Sequence, residues 1–422
     1  MLVAAILKKD GEVDMVTLGL IINPIAGVGG RAGLKGSDGE DIQKLALARG
    51  GTLEAGAKAE VALAELADLK GEICFLARPG AMGGDVLEKL GFSYQAIEGS
   101  FESARMPRSD GAVDSPPAKS SDSAADLQSG AGAATSAEDT VEAALQMASA
   151  GVDLLVFAGG DGTARDIYRA VGLSVPCVGI PAGVKIHSAV YANNPKSAGQ
   201  VIRRFCANPT TASMVESEVM DLDEDLVRQN IVEAKLHGYL TVPRMQNLMQ
   251  QAKASARFSA HDIEGIAAEI ADLMQAKAES TVYIFGTGGT TYKVMEHLGL
   301  QGSLLGVDVV AQDGRRRIVL ADASETELYE CVKDAGEVVL IVTAIGGQGH
   351  IFGRGNQQIS PRVIRLVERD NLWIVSAAEK IYGLENNTLH VDTSDPELDR
   401  ELSGYRKVIT GWQERIVCKV EA

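Results

Sequence analysis

Asp161 stands inside a run of glycines, Gly159-Gly160-Asp161-Gly162-Thr163, within the stretch VDLLVFAGGDGTARDIYRA at residues 152–170. The apolar run Val152–Ala158 predicts a strand and the amphipathic stretch from Ala164 predicts a helix, with a tight glycine turn between them. Such a turn aims backbone N–H groups and the positive end of a helix at one spot, which suits an anion. Glycines lack Cβ atoms, so a phosphate chain can approach the main chain closely. A carboxylate among anion-binding amides repels phosphate unless it has a task of its own. Taking a proton from an attacking hydroxyl and holding a metal ion are two tasks that fit. The plainer alternative is a strand–helix turn in which glycines permit positive φ and Asp161 caps the helix.

Further loops carry residues of the same kind. The apolar run Leu18–Ile22 leads into Asn23-Pro24-Ile25-Ala26-Gly27-Val28-Gly29-Gly30. Asn23 suits a hydrogen bond to a phosphate or to the Asp161 turn, or simply starts a turn. Gly27 opens a loose G-x-G-x-x-A match to the dinucleotide fingerprint. Pro181-Ala182-Gly183-Val184-Lys185-Ile186-His187-Ser188 follows the strand expected at Pro176–Ile180 and reads as a third loop-to-helix junction. Lys185 would serve there as a point cation or as a solvated lysine, and His187 reads as a satisfied, half-buried side chain rather than a ligand contact. Later, Gly286-Thr287-Gly288-Gly289-Thr290-Thr291 follows the strand Thr281–Phe285 and starts a helix, which makes Gly288, Gly289 and Thr290 anion-site candidates. Arg354 lies between glycines after the strand Val338–Thr343 and suits clamping a phosphate or carboxylate. Asp221, Asp223 and Asp225 alternate without completing an EF-hand, so they read as a solvated turn.

These loops need elements to hold them. Helices are expected at Asp41–Gly50, Ala55–Leu69, Met82–Leu90 and Ser136–Ala150, and strands at Glu72–Ala77 and Ser93–Ile97. Glu98–Thr135 is rich in Ser, Ala, Gly, Pro and Asp and reads as a loop. Strands alternating with helices imply a parallel sheet with its glycine loops at one edge, where a ligand should sit. The rhythm changes near Cys206, with extended segments at Ser213–Leu222 and Asn230–Val242 and an amphipathic helix at Ile263–Glu279. The βα pattern then returns. It gives a helix ending near Leu298, a strand at Leu304–Ala311, helices at Glu325–Asp334 and Arg362–Glu368, and short strands at Leu372–Ser376, Thr388–Val391, Tyr405–Ile409 and Ile416–Val420.

At 422 residues the chain has room for two or three domains. Its formal charge of −17 argues against nucleic acid or an anionic membrane as partner, while leaving space for a local basic pocket. The five cysteines are scattered singly with no C-x-x-C pair, as expected of buried thiols in a reducing compartment. The start, MLVAAILKKDGEVDMV, places charges after its apolar run, unlike a signal peptide, and a cytoplasmic protein is expected.

Asn23-Pro24-x-x-Gly27, the GGDGT run and Gly179-x-Pro181-x-Gly183, in this order, resemble the NAD kinase and diacylglycerol kinase superfamily. More narrowly, GGDGTARDI, GIPAGVKIHSAVYA, GTGGTT and IGGQGHIFGRGNQQISP resemble the ATP-NAD kinase-like family related to AcoX. The resemblance implies an α/β fold: a Rossmann-like parallel-sheet domain over residues 1–205, a second mixed α/β domain with β-rich segments over 206–422, and a cleft between them. It implies ATP or polyphosphate as donor, Mg²⁺, and NAD as acceptor through the 2′-OH of its adenosine ribose. The expected partners are small nucleotides, in a homo-oligomer. The role near the acceptor hydroxyl maps onto Asp161. The phosphate-loop role maps onto Gly159, Gly160, Gly162 and Thr163, with Asn23 facing them. Two features depart from the family pattern. The Asn-Glu pair of well-studied NAD kinases has no clear counterpart, Asn193-Asn194-Pro195 being a poor substitute, and the βα repeats after Thr281 look unlike a β-rich second domain. The other readings are a kinase of another small-molecule or lipid hydroxyl, and a non-catalytic nucleotide sensor.

Overall fold

The computed structural model describes residues 15–34, 40–97, 135–209, 211–222, 234–245, 248–250, 260–345 and 349–422. The loop expected at Glu98–Thr135 lies outside these residues except for Thr135, as do Asp223, Asp225 and the Gly346-Gly347-Gln348 start of the Arg354 loop.

The first lobe is built on β1 (Val16–Ile22), β2 (Ile73–Ala77), β3 (Tyr94–Ala96), β4 (Leu154–Gly159) and β5 (Cys177–Pro181). All pairings are parallel and the spatial order is β3-β2-β1-β4-β5. β4 and β5 are buried at every position, as suits central parallel strands covered on both faces, while β3 is a half-exposed edge. Its helices are α1 (Glu40–Ala48), α2 (Ala55–Ala64), α3 (Gly84–Leu90), α4 (Ala137–Ala150), α5 (Asp161–Val171) and α6 (Pro195–Ala207). Alternation along β4 divides the core. Leu154, Val156 and Ala158 join α2 and α6 residues such as Leu63 and Ile202 on one face. Leu155 and Phe157 join Met147 of α4 and Ile167 of α5 on the other. The strand order reverses between β1 and β4, the place where an open parallel sheet leaves a crevice at its carboxyl edge. The loops after these two strands carry Asn23 and Asp161.

An antiparallel ribbon follows, β6 (Met214–Leu222) with β7 (Ala234–Pro243). Its Val219, Leu240 and Val242 enter the core beneath α5. At Gly238 a Cβ would meet the Tyr168 ring of α5 at 2.2 Å, so only glycine allows this approach. The ribbon thus packs on the first lobe, and residue 206, where the second domain was expected to begin, falls inside α6.

The second lobe comprises α7 (Ala260–Gln275), β8 (Val282–Phe285), α8 (Gly289–His297), β9 (Asp308–Gln312), β10 (Arg316–Leu320), α9 (Glu325–Val332), β11 (Val338–Thr343), α10 (Pro361–Ile364), β12 (Leu372–Val375), α11 (Ala378–Tyr382), β13 (Thr388–His390), α12 (Pro396–Leu402), β14 (Gly404–Gly411) and β15 (Glu414–Glu421). The strands form one mixed sheet in the order β10-β9-β8-β11-β12-β14-β15-β13. Its middle, β8-β11-β12-β14, is parallel, with antiparallel additions at both sides. Alternation again divides two cores, Tyr283 and Phe285 facing α7 and Ile284 facing the opposite layer. The helix expected at Arg362–Glu368 is confined to Pro361–Ile364, because the chain tightens into i→i+3 bonds at Leu366 and Val367.

Candidate active site

β4 delivers the glycine run to the crevice. A Cβ at Gly159 would lie 2.3 Å from the Thr163 hydroxyl oxygen, and one at Gly183 would lie 2.6 Å from the Gly160 Cα. The two loops therefore touch through bare backbone. Ala182 and Gly183 N–H groups both donate to the Gly159 carbonyl at 2.9 Å. Gly27 adopts φ +82°, and a Cβ there would lie 2.3 Å from the Ala182 carbonyl oxygen. Asn23 Nδ2 donates to Thr163 Oγ1 at 3.0 Å. Its Oδ1 accepts from Ile25 N at 3.3 Å, so of the roles open to Asn23 the structure shows both the turn start and the bond to the Asp161 turn.

Gly160 is the N-cap of α5 and supplies no side-chain acceptor. Asp161 does not cap the helix either. Its buried carboxylate turns to the next loop, where Oδ2 accepts from His187 N at 2.7 Å and meets His187 Nδ1 at 3.0 Å. Oδ1 accepts from Ser188 N at 3.0 Å and lies 2.7 Å from Ser188 Oγ. Tyr191 donates its hydroxyl to the Gly160 carbonyl at 2.5 Å. Burial and the nearby Asp161 and Asp221 charges push that phenol well above its usual range, so it stays neutral.

The second lobe brings a cation to the same place. Arg354 is 1% exposed. Its Nη2 donates to the Asn193 carbonyl at 3.0 Å, and Asp392 Oδ2 lies 3.8 Å away. Its Nε and Nη1 are buried without a hydrogen-bond partner among the described residues. Burial lowers the guanidinium pKa, opposed by the charges of Asp392, Tyr191 and Asp161. Next to it, Gly355 takes φ +73° and packs against the Lys185 stem. The Gly355 N–H and Gln357 Nε2 both donate to the Val184 carbonyl, at 2.7 and 2.8 Å, and so tie the lobes together. Thr287 Oγ1 donates to the Gly355 carbonyl at 3.0 Å, joining the start of α8 to this strap. There, Gly288 is an uncapped N-cap at φ +131°, and among the described residues Gly289 has no atom within 4 Å of a Cβ and the buried Thr290 hydroxyl has no partner.

The chain of contacts thus gathers Asn23, Gly27, Gly159, Gly160, Thr163, Gly183 and Lys185 with Arg354, and links Gly288, Gly289 and Thr290 to them through Thr287, while Gly162 lies in the first turn of α5 beside them. His187, Ser188, Tyr191 and Gln357 were missed as partners. His187 was visible as a histidine four residues past Gly183, but its distance to Asp161 was not, and the helix expected to follow this loop directly starts only at Pro195. Asn194, in the stretch that was a poor substitute for the Asn-Glu pair, accepts from Ser197 N at 2.7 Å and caps α6. Asp221 pairs with Arg165 at 2.6 Å. Among the described residues no three His, Cys, Asp or Glu side chains gather into a metal cage, and no helix is long and apolar enough to cross a membrane. A groove of about 460 Å³ on the second lobe, between Leu340, Leu402, Arg369 and Arg406, contains none of the loop residues.

A parallel α/β lobe with glycine loops at its strand-order reversal, closed by a second α/β lobe that carries a buried arginine, defines a two-lobed phosphate-handling protein. Residues 18–211 match the family model of the ATP-NAD kinase N-terminal domain, and residues 278–420 match that of the ATP-NAD kinase C-terminal domain. The chain belongs to the ATP-NAD kinase family. At that level it is a phosphotransferase with a hydroxyl acceptor, a kinase of NAD-like substrates. The second match includes the βα repeats after Thr281 that had looked unlike the family. No curated protein and no solved structure matches the chain.

Proposed function

We propose that this chain moves a phosphoryl group from ATP or polyphosphate to the 2′-OH of the adenosine ribose of NAD. The observation that carries the reading is Arg354. A buried guanidinium with two nitrogens unpartnered among the described residues is costly unless an anion supplies the acceptors. Donor phosphates are anions of the right geometry for that planar fork. The uncapped start of α5, with Gly159, Gly160, Gly162 and Thr163, would hold the transferring group, and Asn23 keeps Thr163 in place. Gly27 and Gly183 let the flanking loops close, Lys185 adds positive charge, and Gly288, Gly289 and Thr290 form a second helix start for the remaining phosphates. Phosphoryl transfer asks mainly for positioning and charge neutralisation, which such a cradle provides.

The described residues fit no protein-built metal cage, so no step here is assigned to Mg²⁺. The employment of Asn194 as a helix cap favours keeping a second reading, transfer to another small-molecule or lipid hydroxyl. Incubating the full chain with labelled ATP or polyphosphate and a panel of acceptors separates them. Label on NAD alone supports the first reading, label only on another hydroxyl supports the second, and nucleotide binding without transfer to anything supports a sensor.

A further inference from the structure

Resting on that reading, we infer that the proton of the acceptor hydroxyl is taken by His187 Nε2, and that Asp161 is the positioning residue behind it. A carboxylate offers about four acceptor sites. Around Asp161 the His187 N–H, the His187 ring, the Ser188 N–H and the Ser188 hydroxyl occupy them, two on each oxygen. The Ser188 hydroxyl divides its single proton between Asp161 Oδ1 and the Met220 carbonyl at 2.8 Å, and accepts from Met220 N at 3.0 Å. Little of the carboxylate is left for a substrate. Because a carboxylate only accepts, Nδ1 carries a proton, and in the neutral imidazole this leaves the Nε2 lone pair as the acceptor. No described residue hydrogen-bonds Nε2.

The ring is held in place from several sides. The Gly179 N–H donates to the Val190 carbonyl and the Ala189 N–H to the Glu218 carbonyl, so β5 and the ribbon fix the loop on both flanks. Tyr191 ties the same loop to Gly160. The imidazole therefore stands one hydrogen bond from the first residue of α5, beside the helix start that would hold the transferring phosphate. An aspartate that orients a neutral histidine, whose far nitrogen then receives a hydroxyl proton, is a sound general-base arrangement. In the step, the hydroxyl O–H bond breaks and its proton goes to Nε2. The oxygen forms a bond to the terminal phosphorus, and the P–O bond to the leaving phosphate breaks with its electron pair on that oxygen. ADP, or polyphosphate shortened by one unit, departs, and the imidazolium returns its proton to solvent.

His187→Asn tests this, because its amide can replace Nδ1 as donor to Asp161 while Nε2 is lost. With the full chain, labelled ATP and the acceptor that takes label, kcat should fall ~10²–10⁴-fold with KM nearly unchanged, and added imidazole should restore part of it. Nitrogen-15 NMR of the wild-type chain, with the His187 signal assigned by its loss in His187→Asn, should show the proton on Nδ1. Asp161→Asn should shift it toward Nε2. Wild-type turnover that survives His187→Asn, or a proton resident on wild-type Nε2, overturns the assignment and leaves the kinase reading intact. A wild-type chain that phosphorylates no acceptor overturns both.

Discussion

At the scale of single residues the site depends on two side chains whose surroundings no local sequence pattern reveals. Asp161 was legible as the odd acid in a glycine run, and its position at the crevice is as expected. Its engagement with His187 and Ser188 was not legible, because a contact across 26 residues depends on the sheet being assembled. For the same reason His187 looked like an ordinary half-buried histidine. Arg354 was legible as a cation between glycines, but not as a buried one with Nε and Nη1 unpartnered among the described residues. Replacing it with Met removes the fork and its charge. Charge-assisted hydrogen bonds contribute about 1.5–3 kcal/mol each, so with two of them lost the donor nucleotide should bind roughly 10²- to 10⁴-fold more weakly in Arg354→Met by calorimetry. Arg354→Lys should recover only part of that, since a point charge cannot reproduce planar two-point contact. Unchanged affinity in Arg354→Met would remove Arg354 from the donor site.

At the scale of elements, the strands that position the loops were the most legible part. Fully apolar runs such as LLVFAG and CVGIP have one stable place, the middle of a sheet covered on both faces. The helix expected from Ser136 is α4, and there Ser136 with Asp139 forms a reciprocal capping pair. β10 was missed because RRIVL mixes charge into an edge strand, and α11 and α12 because a turn or two of helix leaves little periodicity. Two predictions belong here. A Cβ at Gly183 would press on the Gly160 Cα at 2.6 Å, backbone against backbone. Gly183→Ala should lower stability by about 1–3 kcal/mol and reduce turnover, whereas Gly71→Ala, with no atom within 4 Å, should change neither. Wild-type turnover and melting in Gly183→Ala would contradict the close packing of the two loops. Arg78, buried at the start of the β2–α3 connection, donates to Asp139 at 3.1 Å and Glu142 at 2.8 Å on α4. Arg78→Leu should destabilise the first lobe by about 1–3 kcal/mol in urea denaturation, the partial exposure of both acids moderating the loss.

At the scale of the whole molecule, the α/β class and the two sheets could be read from the order of elements and a second domain over a cleft was implied by the resemblance, but the contacts that close one lobe on the other could not be read. That closure rests on main-chain bonds between distant loops, such as Gly355 N–H to the Val184 carbonyl and Glu325 N–H to the Arg31 carbonyl at 2.8 Å. Beside the strap, burial together with the Arg354 and His390 charges drives the His350 pKa well below its ordinary value of 6.5. Burial and Arg354 also lower His390, against the charge of Glu421. Below pH 6.5 the unfolded chain therefore binds protons that the folded chain refuses, and stability falls as the pH is lowered through that window. Each such histidine contributes a slope of up to about 1.4 kcal/mol per pH unit. His350→Phe should flatten the fall between neutral pH and pH 5 in urea titrations, and an unchanged slope would mean that His350 is protonated in the folded chain.

The most direct test of the central claim is transfer itself. The full chain should be incubated with terminally labelled ATP or polyphosphate, a divalent cation and NAD, and the label located on the product. The account predicts label at the 2′ position of the adenosine ribose, with the reaction depressed in both Arg354→Met and His187→Asn. Tight nucleotide binding with no label passed to NAD would contradict it.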